Sequence, residues 1–415
     1  MVEIRAVTDR SLRDGLPFEG QKTTFPDDEE YYIMKMLYIK HRSGRIMNNF
    51  AISAILAAKQ LGIDFTLANN MSMAEKGHFE KICEQYGIKM VHIEFDRNPL
   101  SRNNLKARKQ LLELMQKENY DIMHCNTPSG GMVGRICAHQ MKTPKVIYMA
   151  HGFHFWKGAP LKNWLLYYPV ERFLAHFTDR LITINREDYA RAQRFHYKKG
   201  GKAVYVPGVG IDPKKYAPNA EKRTNKRQEL GIRDDETMLL SVGEVNQNKN
   251  HKVVIEALAK WQRKDIRYVI CGIGSMEDEL KKLAETLGLA AQVTFAGYRT
   301  DIGDYYQAAD VFVISSYREG LPVAPMEAMT AGIPCVASRI RGSVDLLTDS
   351  PLLFDAGDSE GLLEALKKVM DPKIARKEVA RNMETLQKFS LDEAVAAMKA
   401  IYEDVIGEMS RHVQA

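Results

Sequence analysis

SYREGLPVAPMEAMTAGIPCVAS, residues 316–338, follows the apolar run VFVIS at 311–315. That run is rich in β-branched residues, which predicts a buried strand of a parallel sheet. A tight turn must follow it, and Gly320 with Pro322 supplies one. Pro325 stands where a helix can begin, because the N–H that proline lacks would be unsatisfied in a first helical turn anyway. Gly332 and Pro334 then stop the helix before a second short strand, CVAS at 335–338.

Two carboxylates, Glu319 and Glu327, flank the turn with seven residues between them. Glu319 falls in the loop at the carboxyl end of the strand, where open α/β sheets place their ligands, and Glu327 about one turn into the helix, so both can face one crevice. The backbone N–H groups of Val323 and Ala324 lie just before the expected helix N-terminus, a place suited to a phosphate or diphosphate. Taken alone, Glu327 reads equally well as an ordinary acid favoured by the helix dipole. Taken together, the constellation reads as a site.

Working outward, the same alternation recurs along the chain. MLYIK, FTLAN, MVHIEF, DIMHCN, VIYMAHG, RLITIN and AVYVPG are predicted strands separated by stretches with helical spacing, and MLLSVGE, RYVICGIG, VTFAG, VFVIS, CVAS and LLFDAG form a second series. Strands alternating with helices predict doubly wound parallel sheets. Between the series, GVGIDPKKYAPNAEKRTNKRQELG carries Gly208, Gly210, Pro213 and Pro218 with a run of charge that cannot form core, and marks the domain boundary. The expected organisation is a loosely attached leader over 1–32, a first Rossmann-like domain over 33–207, a second over 208–388, and a C-terminal helical segment over 389–415.

With 415 residues the chain is long enough for two domains that each bury a core. Hydrophobic residues at 45% and charged residues at 27% are globular values. The net charge of +6 suits anionic substrates or a membrane surface, but without basic clusters it gives little support for nucleic-acid binding. Five cysteines without paired spacing argue against a disulfide or zinc framework and for a reducing compartment. No run is apolar enough to span a membrane and residues 1–30 lack a signal-peptide core, so the expected location is cytoplasmic.

Three further stretches carry chemistry. In SVGEVNQNKNH a polar loop leads from Gly243 to Lys249 at the start of a helix, where a lysine can neutralise a diphosphate as a point charge. In YMAHGFHFWKGAP the strand delivers His151 at its carboxyl end, pointing into a crevice. Neighbouring His154, and His124 in DIMHCN, are read as structural. The segment KNWLLYYPVERFLAHF (162–177) crowds Trp164, Tyr167, Tyr168 and Phe173 beside basic residues. The preferred reading there is an aromatic stripe packed on the sheet, with lipid headgroups or a polyprenyl-linked acceptor on the other face as the alternative. Gly272 and Gly274 in CGIGSMEDEL lack the rest of a dinucleotide fingerprint, so NAD binding is not supported.

The paired glutamates in a glycine- and proline-rich strand-to-helix turn resemble those of the family 4 retaining glycosyltransferases, whose GT-B fold sets two Rossmann-like domains across a cleft. Gly210, Asp212 and Tyr216 resemble that family's interdomain connection. The resemblance covers nearly all of the chain after about residue 33. It implies a nucleotide diphosphate sugar as co-substrate, with no other cofactor and no metal. Glu327 would hold the ribose hydroxyls, Lys249 and the amides of Val323 and Ala324 the diphosphate, and Glu319 the sugar. Tyr298 and Arg299 match the position that holds the base, and His151 the histidine beside the reacting centre. One departure stands out: the family's arginine directly after the glycine is Glu244 here.

HGFHF with the Trp/Tyr-rich segment and GEVNQNKNH resembles the subset that builds capsular or exopolysaccharide repeat units on a lipid carrier. That subset implies a UDP-hexose or UDP-N-acetylhexosamine donor, a glycan or polyprenyl-linked acceptor and peripheral contact with the inner face of the membrane. A sugar-nucleotide epimerase of the same architecture and a non-catalytic sugar-nucleotide sensor are the alternatives.

Overall fold

The computed structural model describes residues 32–42, 49–73, 77–98, 101–208 and 210–413. Apart from Tyr32, the expected leader lies outside the described residues. Strands β1 (Lys35–Arg42), β2 (Asp64–Asn70), β3 (Lys89–His92), β4 (Ile122–Asn126), β5 (Lys145–Ala150), β6 (Arg180–Thr183) and β7 (Lys202–Tyr205) form one sheet in the order β3-β2-β1-β4-β5-β6-β7. Strands β8 (Thr237–Val242), β9 (Ile266–Cys271), β10 (Val293–Gly297), β11 (Val311–Ile314), β12 (Cys335–Ser338) and β13 (Leu353–Phe354) form a second, in the order β10-β9-β8-β11-β12-β13. Neighbours in both sheets pair in parallel.

Every apolar run expected to be a strand is one. The reason is burial on both faces: all of β4 and all of β11 are buried, so their side chains are apolar without alternation except where a polar group is used. In each sheet the strand order reverses once, between β1 and β4 and between β8 and β11. Loops leaving those two strands part in opposite directions and open a crevice at their carboxyl ends, which is where such sheets bind ligands.

The chain divides into two compact units. One runs through Thr183, resumes over Tyr189–Val206 and takes up the chain from Ala394 onward, and the other holds Ile184–Asp188 and Pro207–Glu393. In the second unit Val254 and Leu258 of the helix His251–Trp261 and Leu362 and Leu366 of the helix Ser359–Val369 pack with Leu239, Tyr268 and Ile270 of the sheet. In the first, Leu111, Met115, Val133 and Cys137 pack with Ile39, Met123 and Tyr148. Burying each such side chain contributes about 2 kcal/mol. None of the five cysteines is in a disulfide, and four of them are buried.

The C-terminal helix Leu391–Val413 is held to the first sheet by charge. Arg180, fully buried on β6, pairs with Asp404 at 2.9 Å and with Glu408, and Lys202 pairs with Asp404 at 2.8 Å. Tyr402 places its hydroxyl 2.8 Å from His124 Nδ1, so His124 is the structural histidine that was expected. No helix among the described residues is long and apolar enough to cross a membrane.

One local expectation is corrected. The helix after the 316–338 turn starts at Val323, two residues before Pro325, with Pro322 as its cap. Proline at the third helical position still has no intrahelical partner to lose, so the first turn accommodates it. Val323 and Ala324 are therefore the first two helical residues and not the residues before the helix.

Candidate active site

In the second unit, two glycines at strand ends bring two loops into backbone contact. Gly243 (φ 152°) follows β8 and Gly272 (φ 155°) follows β9. A Cβ on Gly272 would lie 1.8 Å from the carbonyl oxygen of Gly243, so no side chain fits there. A Cβ on Gly243 would lie 2.9 Å from Lys249 Cε, which shows that the lysine stem lies over this glycine.

Lys249 is brought there by a loop stitched to the carboxyl end of β11. Tyr317 N donates to Asn248 O at 2.8 Å, Asn248 Nδ2 to Arg318 O at 3.0 Å, and Ser315 Oγ to Lys249 O at 2.9 Å. The result is a Lys249 Nζ to Glu319 Oε1 distance of 2.8 Å, with each side chain only about a fifth exposed. A lysine and a carboxylate 70 residues apart thus share one spot beside the amino end of the helix Val323–Thr330. The amides of Val323 and Ala324 have no intrahelical acceptor there. The Glu319 backbone is held in turn by Arg341, whose Nε donates to Glu319 O at 3.0 Å while its guanidinium pairs with fully buried Asp188 at 2.6 Å.

Glu327 faces a cavity of about 360 Å³ that Gly243, Glu244, Gly272, Ile273, Tyr298 and Arg299 also line. Its carboxylate accepts from Tyr306 Oη at 2.9 Å and from Tyr216 Oη at 3.4 Å. Burial pushes its pKa up, and the Tyr306 hydroxyl and the Lys215 ammonium pull the other way. An ordinary dipole-favoured acid would sit in solvent; Glu327 is oriented by two tyrosines. Arg299 is tied to Asp301 by bonds of 2.8 and 2.9 Å, and Tyr298 is 59% exposed at the cavity mouth. Glu244 is exposed on the cavity wall.

In the first unit the matching strand ends build a different site. A cavity of about 610 Å³ is lined by His41, Asp96, Thr127, His151, His154 and Tyr167 among others. His151 Nε2 lies 3.1 Å from Asn126 Oδ1, a distance at which an Nε2–H donates to the amide oxygen. Burial and the nearby charges of Lys40 and His41 bring the His151 pKa down to about 3, which leaves the imidazole neutral. Burial likewise lowers Lys40 to about 8. Thr127, between β4 and its helix, has φ 66°, a left-handed value that is strained for a β-branched residue and sits on the cavity wall.

The structure therefore brings Lys249, Glu319, Glu327, Tyr298 and Arg299 together in the second unit and places His151 in the first among its own partners. Lys40, Asn126, Asp96, Tyr306 and Arg341 were missed in the sequence. Lys40 and Asn126 had a usable signal, since Lys40 directly follows the apolar run MLYI within β1 and Asn126 closes β4. Arg341 had none, because its partners are 22 and 153 residues away. The aromatic segment splits between two faces. Trp164, Tyr167 and Tyr168 pack on the core, and Phe173 is 60% exposed.

Residues 222–385 match the family described as glycosyl transferases group 1, and residues 37–185 match glycosyl transferase 4-like. The chain is 40% identical over 318 residues to a Bacillus subtilis (strain 168) protein named as a glycosyltransferase, EpsD, covering 75% of this chain and 83% of that one. It is 31% identical over 313 residues to an Escherichia coli UDP-Gal:α-D-GlcNAc-diphosphoundecaprenol α-1,3-galactosyltransferase, covering 73% of this chain and 80% of the relative. Among solved structures, Anabaena HepE in complex with UDP and glucose superposes with a TM-score of 0.72 at 20% identity, over 90% of this chain and all of HepE. WaaG, a glycosyltransferase of lipopolysaccharide biosynthesis, gives 0.67 at 17% identity, over 88% of this chain and 99% of WaaG. At those identities the likeness is one of fold, the GT-B fold of two Rossmann-like halves. Two parallel sheets of this order, matched along both halves and by relatives of this closeness, make the chain a glycosyltransferase of the group 1, family 4-like kind.

Proposed function

We propose that the protein transfers a hexose or N-acetylhexosamine, with retention of anomeric configuration, from a UDP-sugar to a lipid-linked glycan acceptor in surface polysaccharide biosynthesis. The observation that carries this reading is the Lys249–Glu319 pair at 2.8 Å beside the amino end of the helix Val323–Thr330. A nucleotide sugar presents a diphosphate and, one bond on, an anomeric carbon that becomes positive as the glycosidic bond breaks. A cation and a carboxylate a hydrogen bond apart match that order of charges. In this reading Lys249 and the Val323 and Ala324 amides hold the diphosphate, Glu319 holds sugar hydroxyls near the anomeric carbon, and Glu327 holds the ribose. Tyr298 and Arg299 flank the base. His151 offers a neutral imidazole within the first unit's cavity, which receives the acceptor.

The anomeric carbon loses its bond to the phosphate oxygen and gains one to the acceptor oxygen on the same face. The acceptor proton passes to the leaving diphosphate, whose charge Lys249 and the helix terminus carry, so the chemistry asks for no metal or further cofactor. The uridine assignment is supported by the UDP bound in HepE and the UDP-Gal named for the Escherichia coli relative, and the lipid-linked acceptor by that relative's diphosphoundecaprenol. The setting that follows is the inner face of the cytoplasmic membrane.

The test is incubation with a panel of UDP-, GDP- and ADP-sugars, with and without a polyprenyl-diphosphate-linked sugar, following released nucleoside diphosphate and product anomer. UDP release stimulated by the lipid-linked acceptor, with an α-linked product from an α-donor, is the expected result. Inverted product, or a preference for GDP-sugars, would overturn the corresponding part.

A further inference from the structure

Glu244, Arg299 and Glu327 are the charged residues that line the second unit's cavity, and the proposed reaction gives Glu244 no task. The backbone holds it at the cavity wall from both sides. Gly243 N donates to Cys271 O at 2.9 Å and Val245 N to Ile273 O at 3.0 Å, so the residues before and after Glu244 are tied to the loop that follows β9. Gly274 of that loop packs against the same residue, since a Cβ there would lie 2.2 Å from the Val245 carbonyl oxygen. The Glu244 side chain is exposed, and among the described residues it forms no ion pair, Lys249 being taken by Glu319 at 2.8 Å and Arg299 by Asp301 at 2.8 Å. The Lys249 ammonium is nevertheless close by: a Cβ on Gly243, one residue before Glu244, would meet Nζ at 3.3 Å. The place assigned to the diphosphate thus has one ammonium beside two carboxylates, Glu319 and Glu244, and the amino end of the helix Val323–Thr330 adds a partial positive charge. Tight holding of a diphosphate does not call for acids in excess of cations.

We propose that Glu244 discriminates between donor and product, weakening the free nucleoside diphosphate more than its sugar ester and so speeding release after transfer. The inference rests on the reading of this cavity as the donor site. In the sugar ester the terminal phosphate carries one negative charge. When the anomeric C–O bond breaks, its electron pair stays on the phosphate oxygen, and once the acceptor's proton has passed on to solvent that phosphate carries close to two. Coulomb energy scales with charge, so Lys249 and the helix terminus, needed to carry the leaving group, hold the product more tightly than the donor. Left to themselves they would trap it. A carboxylate fixed on the same wall repels the doubly charged group about twice as strongly as the singly charged one and offsets that preference.

The experiment measures, by calorimetry on the full chain, the affinities of UDP, GDP and ADP and of their glucose esters for the unsubstituted chain, Glu244→Gln and Glu244→Asp. For the nucleotide pair that binds, Glu244→Gln should tighten the free diphosphate about tenfold and the sugar ester about threefold, and both gains should shrink as salt rises. In stopped-flow displacement the free diphosphate should leave this variant correspondingly more slowly. Glu244→Asp keeps the charge and should stay near the unsubstituted values. Equal gains for the two ligands, or no gain, overturn the proposal, and so does an Asp variant that behaves like the Gln variant. A pair built on guanine or adenine would correct the base in the proposed function and leave Glu244 to be judged on that pair. Binding of no pair by the unsubstituted chain would remove the donor site and this inference with it.

Discussion

The two halves of the molecule share a sheet order around the reversal point, yet they fill the crevice at that point with opposite chemistry. In the second half, between the ends of β8 and β11, glycines at 243 and 272 strip away side chains and a lysine–carboxylate pair supplies full charges. In the first half, between the ends of β1 and β4, the cavity is larger and its central group is an imidazole kept neutral by burial and by nearby cations. The contrast teaches that the fold supplies a place and the strand-end residues supply the function. Backbone amides and fixed charges suit a small, highly charged diphosphate. A roomy pocket that sets hydroxyl, amide and imidazole groups beside the charges of Asp96 and Arg97 suits a larger sugar-bearing ligand. Arg341 makes the same point at longer range, since it holds the Glu319 carbonyl in place from a different helix and buries its charge on Asp188.

The sharpest way to break this comparison is to remove one polar side chain from each half. Glu319→Ala should lower transfer about 10³-fold, the size of loss seen when a group aimed at developing transition-state charge is deleted, and His151→Ala about 10²-fold. Steady-state kinetics with the preferred UDP-sugar would measure both, and a larger loss for His151 would reverse the roles assigned to the halves.

Next in size is a pair of glycines. Gly272→Ala sets a methyl group against the Gly243 carbonyl, and backbone cannot step aside, so a loss of about 3 kcal/mol in urea unfolding is expected. Gly131→Ala in the first half meets the Tyr148 ring at 2.3 Å, and a ring shift should hold the cost to about 1–2 kcal/mol. Equal costs would mean that the close backbone approach is no special feature of the second half.

A smaller effect is expected at Glu327. Glu327→Gln keeps the shape and weakens a charge-assisted bond to a hydroxyl, so the donor KM should rise about tenfold with kcat little changed. A drop in kcat with KM constant would move Glu327 from ribose binding to the reacting centre.

The last comparison is with acid. His124 and His151 in the first half are lowered to about 3, and His251 in the second to about 4, all chiefly by burial. The unfolded chain takes up protons below about 6.5 that the folded chain refuses, so this contribution is intact above that pH and is lost as pH falls toward 3 to 4. Each histidine adds a slope of up to about 1.4 kcal/mol per pH unit. With two histidines against one, the first half should open at a higher pH, as read by hydrogen exchange resolved along the chain. The reverse order would show that other groups dominate its acid response.

Much of the fold could be read from the chain itself, because strands buried on both faces must be continuous apolar runs and glycine and proline must punctuate them. VFVIS followed by the Gly320–Pro322 turn is the clearest case, and the two strand series with their charged connection needed nothing beyond local pattern. The same local logic placed Glu319, Glu327, Lys249 and His151 at strand ends or helix starts. It misjudged the start of the helix at Val323 by two residues, since proline is tolerated anywhere in a first turn and so does not mark its first position.

Pairing was decided only in three dimensions. That Lys249 meets Glu319, that Tyr306 and Tyr216 orient Glu327, and that His151 is neutral all depend on loops from distant strands being stitched side by side. The reason is range. A residue's conformational and burial preferences are set by its neighbours in sequence, whereas its partners and its charge state are set by whatever the completed sheets bring within a few ångströms.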